Sequence, residues 1–228
     1  PRETKHNIRS FFIAPDDYSF ITIDYSAMEL RVLAHVAKDG NMQQAFQKGL
    51  DLHSYTARML FNKEKVSKQE RQIAKTVSFL IVYGGGAFNL SETMGIPLRR
   101  AEKIIGNYKK VYPAVFEFME FVNEFIKNNG FAYTIFGRRH NLPDVRSKDR
   151  SVIHDSVEII SPQSEVEKAC EIAYDEMVNY PYVRDTFNIK LNVPLEIEIL
   201  IGKSFGDGSE AIIEDGRITN CDEIFKEL

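Results

Sequence analysis

The sequence predicts an α+β fold, in which a sheet built from both ends of the chain holds a helical insertion between its strands. Residues 20–25 and 195–201 have the composition of strands. The residues between them are dominated by helical periodicity and helix caps. Segments so far apart share a sheet when the intervening chain packs as its own helical body, which gives an α+β architecture.

The composition is that of an ordinary globular protein. Hydrophobic residues make up 43% and charged residues 27% of the 228 residues, a length that suits one large or two small domains. No apolar run approaches the roughly 18 residues that a membrane span needs, and residues 1–6 lack the apolar core of a signal peptide. Cys170 and Cys221 indicate neither a disulfide framework nor a thiolate metal cluster. We therefore expect a reducing compartment.

The net charge of −4 hides an asymmetry along the chain. Residues 1–150 carry 23 Lys and Arg against 16 Asp and Glu, whereas residues 151–228 carry 6 against 17. A polyanion responds to the local field, so the basic part is compatible with DNA. A chance asymmetry of solvated faces explains the same numbers, so charge alone selects no partner.

Helix caps divide the first part of the chain. Ser26 and Glu29 follow the first strand with the spacing of a capping box, and Asp51 is placed to open another helix. A second capping box begins at Ser67, and the glycines at 84–86 stop the helix that follows. These signals predict helices that begin near residues 26, 51 and 67.

Further elements follow in the same order along the chain. Helices are predicted over 97–112 and 114–129, the second ended by Gly130, and a strand over 131–135 precedes the basic stretch 137–140. The second helix carries an apolar face made of Val115, Phe118, Phe121, Val122 and Phe125.

The last third of the chain mixes strands with a helix. Residues 152–160 predict a tight hairpin with polar residues at its tip, and residues 165–178 predict a helix. The strand at 195–201 has glutamates alternating along it. The tail 209–228 gives no firm prediction.

Four residues of the helix after Ser67 suggest a ligand site. Arg71, Lys75, Phe79 and Tyr83 recur at every fourth position, so they share one broad face. Buried cations need partners, and a solvated face seldom exposes two aromatic rings beside them. A ligand with phosphates at one end and a flat base at the other would satisfy all four. An amphipathic helix with snorkelling cations explains the same spacing.

Two aspartates at strand ends, Asp24 and Asp155, are candidate metal ligands. An acid in such a place is costly to desolvate without a cation or hydrogen bonds. Two carboxylates brought together would hold hard divalent cations such as Mg²⁺. A pair of such ions stabilises both the attacking and the leaving oxygen of phosphoryl transfer. Either aspartate alone is more often a cap or a turn residue, so the interpretation needs both.

Five ordered segments resemble DNA polymerase family A, the group of bacterial DNA polymerase I, over about residues 8–208. The segments that match the family are Asp24-Tyr25-Ser26-Ala27-Met28-Glu29-Leu30-Arg31, Asp51-Leu52-His53, Arg71-x-x-x-Lys75-x-x-x-Phe79-x-x-x-Tyr83-Gly84, Phe136-Gly137-Arg138-Arg139-His140-Asn141-Leu142-Pro143-Asp144 and Ile153-His154-Asp155. The first, third and fifth are similar to the three catalytic motifs of the family.

The resemblance implies the right-hand fold of polymerases, without the thumb. Its palm, an antiparallel sheet, would comprise residues 1–50 and 131–228, and its fingers would be the helical insertion at 51–130. The implied function is template-directed DNA synthesis on a primer 3′-hydroxyl with release of pyrophosphate. The implied partners are primer–template DNA and deoxynucleoside triphosphates, and no membrane. Processivity or replisome partners are left open, and the implied location is the cytoplasm of a bacterium or of a phage-infected cell, with an organelle as the alternative.

The resemblance also implies the site residues. Asp24 and Asp155 would bind two Mg²⁺ ions, for which Mn²⁺ can substitute, with the backbone carbonyl of Tyr25 as a further ligand. His154 and Arg138 would contact the primer and template. The residues implied to hold the triphosphate, the base and the sugar of the nucleotide are Arg71, Lys75, His53, Phe79, Glu29 and Tyr83. Among these, Lys75 would also protonate the leaving group.

Some positions depart from the family. Ser156 stands where a glutamate usually follows the motif aspartate, which weakens the outer support of a metal ion. Ala27 replaces a common glutamine. A segment of a few dozen residues is missing between Arg150 and Ser151, and we expect these two residues not to be joined in the complete protein. A truncated, inactive paralogue is the alternative.

Three functions follow from these observations. A DNA-directed DNA polymerase is favoured over a single-subunit RNA polymerase, because Glu29 together with Phe79 points to deoxynucleotides. A catalytically inactive, polymerase-like DNA-binding module is the third. The presence of both aspartates and both cations of the motifs argues against loss of catalysis.

Overall fold

The protein divides by its contacts into two compact units in a computed structural model, which describes residues 11–135, 137–141, 156–162, 164, 166–188, 190–204, 207–214 and 216–227. The described residues of Pro1–Met28, Ser151–Ile189 and Leu195–Leu228 form the sheet unit. Those of Glu29–Arg150 and Lys190–Pro194 form the helical unit. No helix in these described ranges has both the length and the apolar character that crossing a membrane requires.

The described elements follow one another as strands at both ends and helices in the middle. The strands are β1 (Tyr18–Tyr25), β2 (Phe131–Tyr133), β3 (Arg139–Asn141), β4 (Ser156–Pro162), β5 (Ile197–Ser204), β6 (Asp207–Glu210), β7 (Ile213–Glu214) and β8 (Arg217–Ile218). The helices are α1 (Met28–Ala37), α2 (Gly40–Gln47), α3 (Leu52–Phe61), α4 (Lys68–Val82), α5 (Ala87–Met94), α6 (Leu98–Val111), α7 (Pro113–Asn129), α8 (Val166–Tyr174), α9 (Pro181–Phe187) and α10 (Cys221–Glu227). A π-helical turn, Asp175–Asn179, continues α8.

The sheet unit is built on an antiparallel sheet of order β4-β1-β5-β6. The central strand β1 turns Ile21 and Ile23 into the core, where they meet Ile199 of β5 and Val166 of α8. Side chains alternate across a strand, so Asp24 lies on the opposite face, and Asp24 itself is exposed. The predicted α+β fold, with a sheet made from distant segments and helices between them, is confirmed.

The C-terminal part of the sheet unit contains structure that the sequence did not predict. Residues 209–228 gave no firm prediction, yet Ala211, Ile218 and Ile224 are buried in the same core as β1. The predicted hairpin 152–160 is covered from Ser156 onward by β4, and its earlier residues lie outside the described ranges. The tail is therefore part of the fold of this unit.

The helical unit confirms most of the predicted caps. Asp51 caps α3 by accepting from the backbone of Ser54, and Ser67 forms the predicted capping box at the start of α4. The cap predicted at Ser26 is wrong, because Ala27 has a φ of 53° and α1 begins only at Met28. A left-handed residue cannot be the first helical one, so the helix begins later.

Within the described residues of the helical unit, two short helices and one short strand were not predicted. Helix α2 is capped by Asp39, and α5 follows directly after the glycines that end α4. The basic stretch after residue 135 supplies β3, whose Arg139 pairs with Tyr133 of β2. Eight residues give too few turns for the periodicity of α2 or α5 to stand out from the turn signals beside them.

The core of the helical unit lies around α6 and the start of α7. The Tyr108 and Tyr112 rings are fully buried with their centroids 4.9 Å apart, and Tyr112 shares a 2.7 Å hydrogen bond with Thr56. In α7, all of which the structure describes, only Val115 of the predicted apolar face is buried, and Phe121 is 63% exposed. The helix is amphipathic as predicted, but most of its apolar face is not buried among the described residues.

Candidate active site

In the sheet unit, Asp24 stands at the end of the central strand with an acid as its neighbour. It pairs with Ser156 on β4 and with Glu198 on β5. Directly opposed residues of antiparallel strands share a face, and like charges placed so repel each other. Asp24 and Glu198 are both exposed. A cation at this position would relieve the repulsion, which makes the donor set suitable for a hard divalent ion.

The backbone just after Asp24 is fixed by contacts within the sheet unit. The Tyr25 hydroxyl donates to the Met177 carbonyl at 3.1 Å, and the Ser26 N–H donates to the Glu196 carbonyl at 2.8 Å. The left-handed Ala27 then turns the chain into α1. The predicted carbonyl ligand Tyr25 therefore ends β1 directly before a well-defined turn.

The second predicted metal ligand falls outside the described ranges. Asp155, the primer-contacting His154 and the junction of Arg150 with Ser151 all belong to residues that the structure does not describe. In the ranges that it does describe, no group of three or more His, Cys, Asp and Glu side chains is arranged to hold a metal ion.

In the helical unit, the four residues predicted to share a face of α4, Arg71, Lys75, Phe79 and Tyr83, lie on the side of the helix opposite its buried side. We call this set the stripe. Arg71 and Lys75 are exposed, Phe79 is half-buried, and Tyr83 caps the C-terminal end of the helix with 45% exposure. The opposite side of α4 is buried and consists of Ile73, Ala74, Val77, Ser78 and Ile81. The stripe is thus a polar and aromatic surface on a firmly packed helix.

Arg71 forms a two-point ion pair with Asp51, the capping residue of α3. Its Nε lies 2.7 Å from Asp51 Oδ2 and its Nη2 lies 2.9 Å from Oδ1. Burial acts to raise the pKa of Asp51, but hydrogen bonds from Arg71 and Ser54 outweigh it and hold that pKa well below its usual range. Asp51 is therefore a carboxylate at any pH of interest.

His53 lies beside this pair and is uncharged at neutral pH. Burial, joined by the cations Arg71 and Lys75 and opposed by Asp51, lowers the pKa of His53 to about 4. Its Nδ1 is buried without a hydrogen-bond partner in the described part of the chain. Leaving a ring nitrogen without a partner costs less free energy than burying an unpaired N–H, which favours the tautomer with the proton on Nε2. The ring centroid lies 5.8 Å from that of Phe79.

The two residues implied to read the sugar are in contact. The Tyr83 hydroxyl donates to Glu29 Oε1 at 2.9 Å, which joins the end of α4 to the start of α1. Both residues belong to the helical unit. The hydrogen bond holds the Glu29 carboxylate in one place.

Arg138 lies in the turn between β2 and β3. Its backbone exchanges hydrogen bonds with Thr134, and its side chain is exposed. The neighbouring Arg139 instead lies over the Phe131 ring at 3.9 Å.

Two partners at the site were missed by sequence reasoning. Asp51 was identified as a helix start and as part of a family segment, and its ion pair with Arg71 spans 20 residues. Glu198 was noted only as one of two alternating glutamates, and the pairing of β5 with β1 makes it the neighbour of Asp24.

Comparison with known proteins identifies the class. The model of DNA polymerase family A matches residues 1–153. The chain belongs to this family.

Its relatives in that family are bacterial DNA polymerases I. The chain is 40% identical over 147 residues to DNA polymerase I of Chloroflexus aurantiacus, which covers 64% of this chain and 16% of the relative. It is 30% identical over 243 residues to the thermostable DNA polymerase I of Thermus filiformis, covering 87% of this chain and 28% of the relative. The chain thus spans well under a third of these proteins.

Among solved structures, the chain resembles the POL domain of Pol1 from M. smegmatis in complex with DNA primer-template and dNTP. The TM-score is 0.74 at 23% identity, over 90% of this chain and 43% of that one. This likeness shows the fold, a mixed helical and antiparallel architecture shared with a family A polymerase domain.

The relatives carry residues that this chain lacks. The alignment with the Thermus filiformis protein is 243 residues long, which exceeds the 228 residues of the chain although it covers only 87% of them. A segment missing relative to the family was predicted from the motifs. Its predicted position, between Arg150 and Ser151, lies outside the described residues.

Proposed function

We propose that this chain carries the palm and fingers of a DNA polymerase that adds deoxynucleotides to a primer 3′-hydroxyl and releases pyrophosphate. The main support for the proposal is the exposed stripe on α4, in a chain that belongs to family A. Arg71 and Lys75 supply positive charge and Phe79 supplies an aromatic face, and the neutral His53 lies beside them. These groups match the phosphates and the base of a nucleoside triphosphate.

In this proposal residues 1–50 and 131–228 are the palm and residues 51–130 are the fingers. Strand β1, which carries Asp24 next to its last residue, supports the metal-binding side of the reaction. The packed helix α4 supports the nucleotide-binding side. Each function is placed on a rigid element, which keeps reacting groups within the tolerance that catalysis requires.

The nucleotide side follows from the chemistry of the groups. Arg71 and Lys75 would neutralise the triphosphate, and His53 would donate to it from Nε2 as a neutral imidazole. Phe79 would stack on the base and sugar. Lys75 would also give a proton to the leaving pyrophosphate, because an ammonium group can release a proton and the guanidinium of Arg71 does not.

The metal side rests on carboxylates. Asp24 and Asp155 would hold two Mg²⁺ ions, with the Tyr25 carbonyl as a further ligand and Mn²⁺ as the expected substitute. When bound, the ions supply charge stabilisation for the attacking and leaving oxygens of the phosphoryl transfer. The pairing of Asp24 with Glu198 in the sheet supports a cation there.

Selection of the sugar would depend on Glu29. Its carboxylate, held by Tyr83 at 2.9 Å, would fill the space that a ribose 2′-hydroxyl needs. A ribonucleotide would then lose binding through a steric clash, and a deoxynucleotide would not. Arg138 and His154 would contact the primer and template strands.

Primer extension by the complete polymerase that contains this chain tests the proposal. We expect extension with Mg²⁺ and dNTPs, a loss of about 100- to 1,000-fold in Asp24→Ala, and a substantial loss in Lys75→Ala. Lys127→Ala is the matched control, because Lys127 is an exposed lysine on α7.

The other outcomes identify the alternatives. A wild type that binds primer–template DNA but extends nothing is an inactive DNA-binding module. A wild type that prefers ribonucleotides is a single-subunit RNA polymerase. An Asp24→Ala variant that extends as well as the wild type contradicts the proposed chemistry.

A further inference from the structure

The Asp51–Arg71 pair joins the two helices that bear the nucleotide-binding residues. Asp51 caps α3, on which His53 stands two residues later, and Arg71 begins the stripe on α4. The pair is half-exposed on both sides, with 44% of the Arg71 side chain and 42% of the Asp51 side chain accessible. Such an exposed pair contributes little to folding, so its geometry points to another role.

Asp51 is itself fixed in place. Its Oδ2 accepts from the Ser54 backbone N–H at 3.0 Å and from the Ser54 hydroxyl at 2.5 Å. The same oxygen accepts from Arg71 Nε. The carboxylate is therefore anchored to the first turn of α3 whether or not Arg71 is present.

The pair uses only one edge of the guanidinium group. Arg71 donates to Asp51 through Nε and Nη2, which is the side-on edge. A guanidinium has five N–H donors in a rigid plane. Two are used by Asp51, so three remain, and two of these, one on Nη1 and one on Nη2, form the end-on fork that matches two phosphate oxygens.

We propose that Asp51 is a positioning residue for the triphosphate, which holds Arg71 side-on so that its end-on fork is already oriented for phosphate. This inference rests on the proposed function. The low pKa of Asp51 keeps the carboxylate charged at the pH of the assay. A carboxylate that only competed with phosphate for Arg71 would make the opposite prediction, because its removal would then improve nucleotide binding.

Asp51→Asn separates the positioning role from the cap. Asparagine caps a helix as well as aspartate does, so the start of α3 is kept while the charged two-point contact with Arg71 is lost. Freeing a long side chain that binding must immobilise again corresponds to about 3- to 10-fold in affinity. We expect the KM for dNTP to rise by about this factor and kcat to stay within about 2-fold, since the loss falls on ground-state binding.

Two further variants make the test specific. Asp185→Asn removes the exposed ion pair of Asp185 with Arg184 in the sheet unit, and it should leave the KM unchanged. In an Arg71→Lys background, Asp51→Asn should change the KM less than about 2-fold, because lysine has no side-on edge to be held.

Each result either supports or overturns the positioning role of Asp51. A KM that falls or stays constant in Asp51→Asn, or a rise that persists in the Arg71→Lys background, overturns the positioning role. If the wild type extends no primer, the proposed function fails, and the Kd of the same variants for dATP in equilibrium binding then decides the role. A Kd that rises about 3- to 10-fold in Asp51→Asn supports the role, and an unchanged Kd overturns it.

Discussion

Replacing Tyr83 with phenylalanine tests whether the hydrogen bond to Glu29 sets sugar selection. The substitution keeps the ring and removes only the hydroxyl, which donates to Glu29 Oε1 at 2.9 Å. Glu29 then keeps its charge and size but loses the contact that holds it. The prediction is that ribonucleotides are rejected less strongly.

The size of the effect follows from the bond that is lost. A hydrogen bond to a charged acceptor contributes about 1.5–3 kcal/mol. Tyr83 is 45% exposed, so water replaces part of the bond and the lower value applies. About 1.5 kcal/mol corresponds to roughly a 10-fold change. We expect the ratio of kcat/KM for dNTP to that for rNTP to fall about 10-fold in Tyr83→Phe, and further in Glu29→Ala.

Single-nucleotide primer extension with matched dNTP and rNTP measures this ratio. Tyr18→Phe is the control, because Tyr18 is an exposed tyrosine at the start of β1 in the other unit. An unchanged ratio in Tyr83→Phe with a reduced ratio in Glu29→Ala would show that Glu29 acts without the hydrogen bond. An unchanged ratio in both variants would refute the steric role of Glu29.

Three further predictions concern the described residues. Tyr112→Phe leaves the Thr56 hydroxyl buried without its 2.7 Å partner, and it should lower the free energy of unfolding by about 1–3 kcal/mol in urea titrations. Ile23→Ala empties a fully buried position of the sheet core, and it should cost about 2–5 kcal/mol by the same measurement. The folded-state pKa of His53 is about 4, below its ordinary value of 6.5, so folding disfavours the protonated ring. The protein should therefore lose stability as the pH falls from about 6.5 to about 4, and the loss over this range should be smaller in His53→Gln. An equal loss in that variant would show that other groups govern the pH dependence.

Local signals predicted local structure well. The capping box at Ser67 and the cap at Asp51 involve residues three positions apart, so the sequence contains all that determines them. The cap at Ser26 failed for a reason outside that window. Its N–H is taken by Glu196 of the sheet unit and Ala27 is left-handed, so the strand connection determines where α1 begins.

In the candidate site, too, some features follow from local sequence and others depend on residues distant in the chain. The stripe from Arg71 to Tyr83 followed from helical periodicity, because one rigid helix determines which residues share a face. The partner of Arg71 did not follow, because Asp51 already had a sufficient explanation as a helix cap. Only the packing of α3 against α4 adds the second role.

The catalytic motifs alone do not show which carboxylates lie beside Asp24. The motif that ends in Asp155 has Ser156 in place of the usual glutamate, which on sequence grounds would leave a bound metal ion with less support. Strand order is a long-range property, and here it places β5 on the other side of β1 from β4. Glu198 of β5 is thereby paired directly with Asp24. The departure at Ser156 therefore does not leave Asp24 without an acidic neighbour, and the sheet supplies one from a strand that no catalytic motif includes.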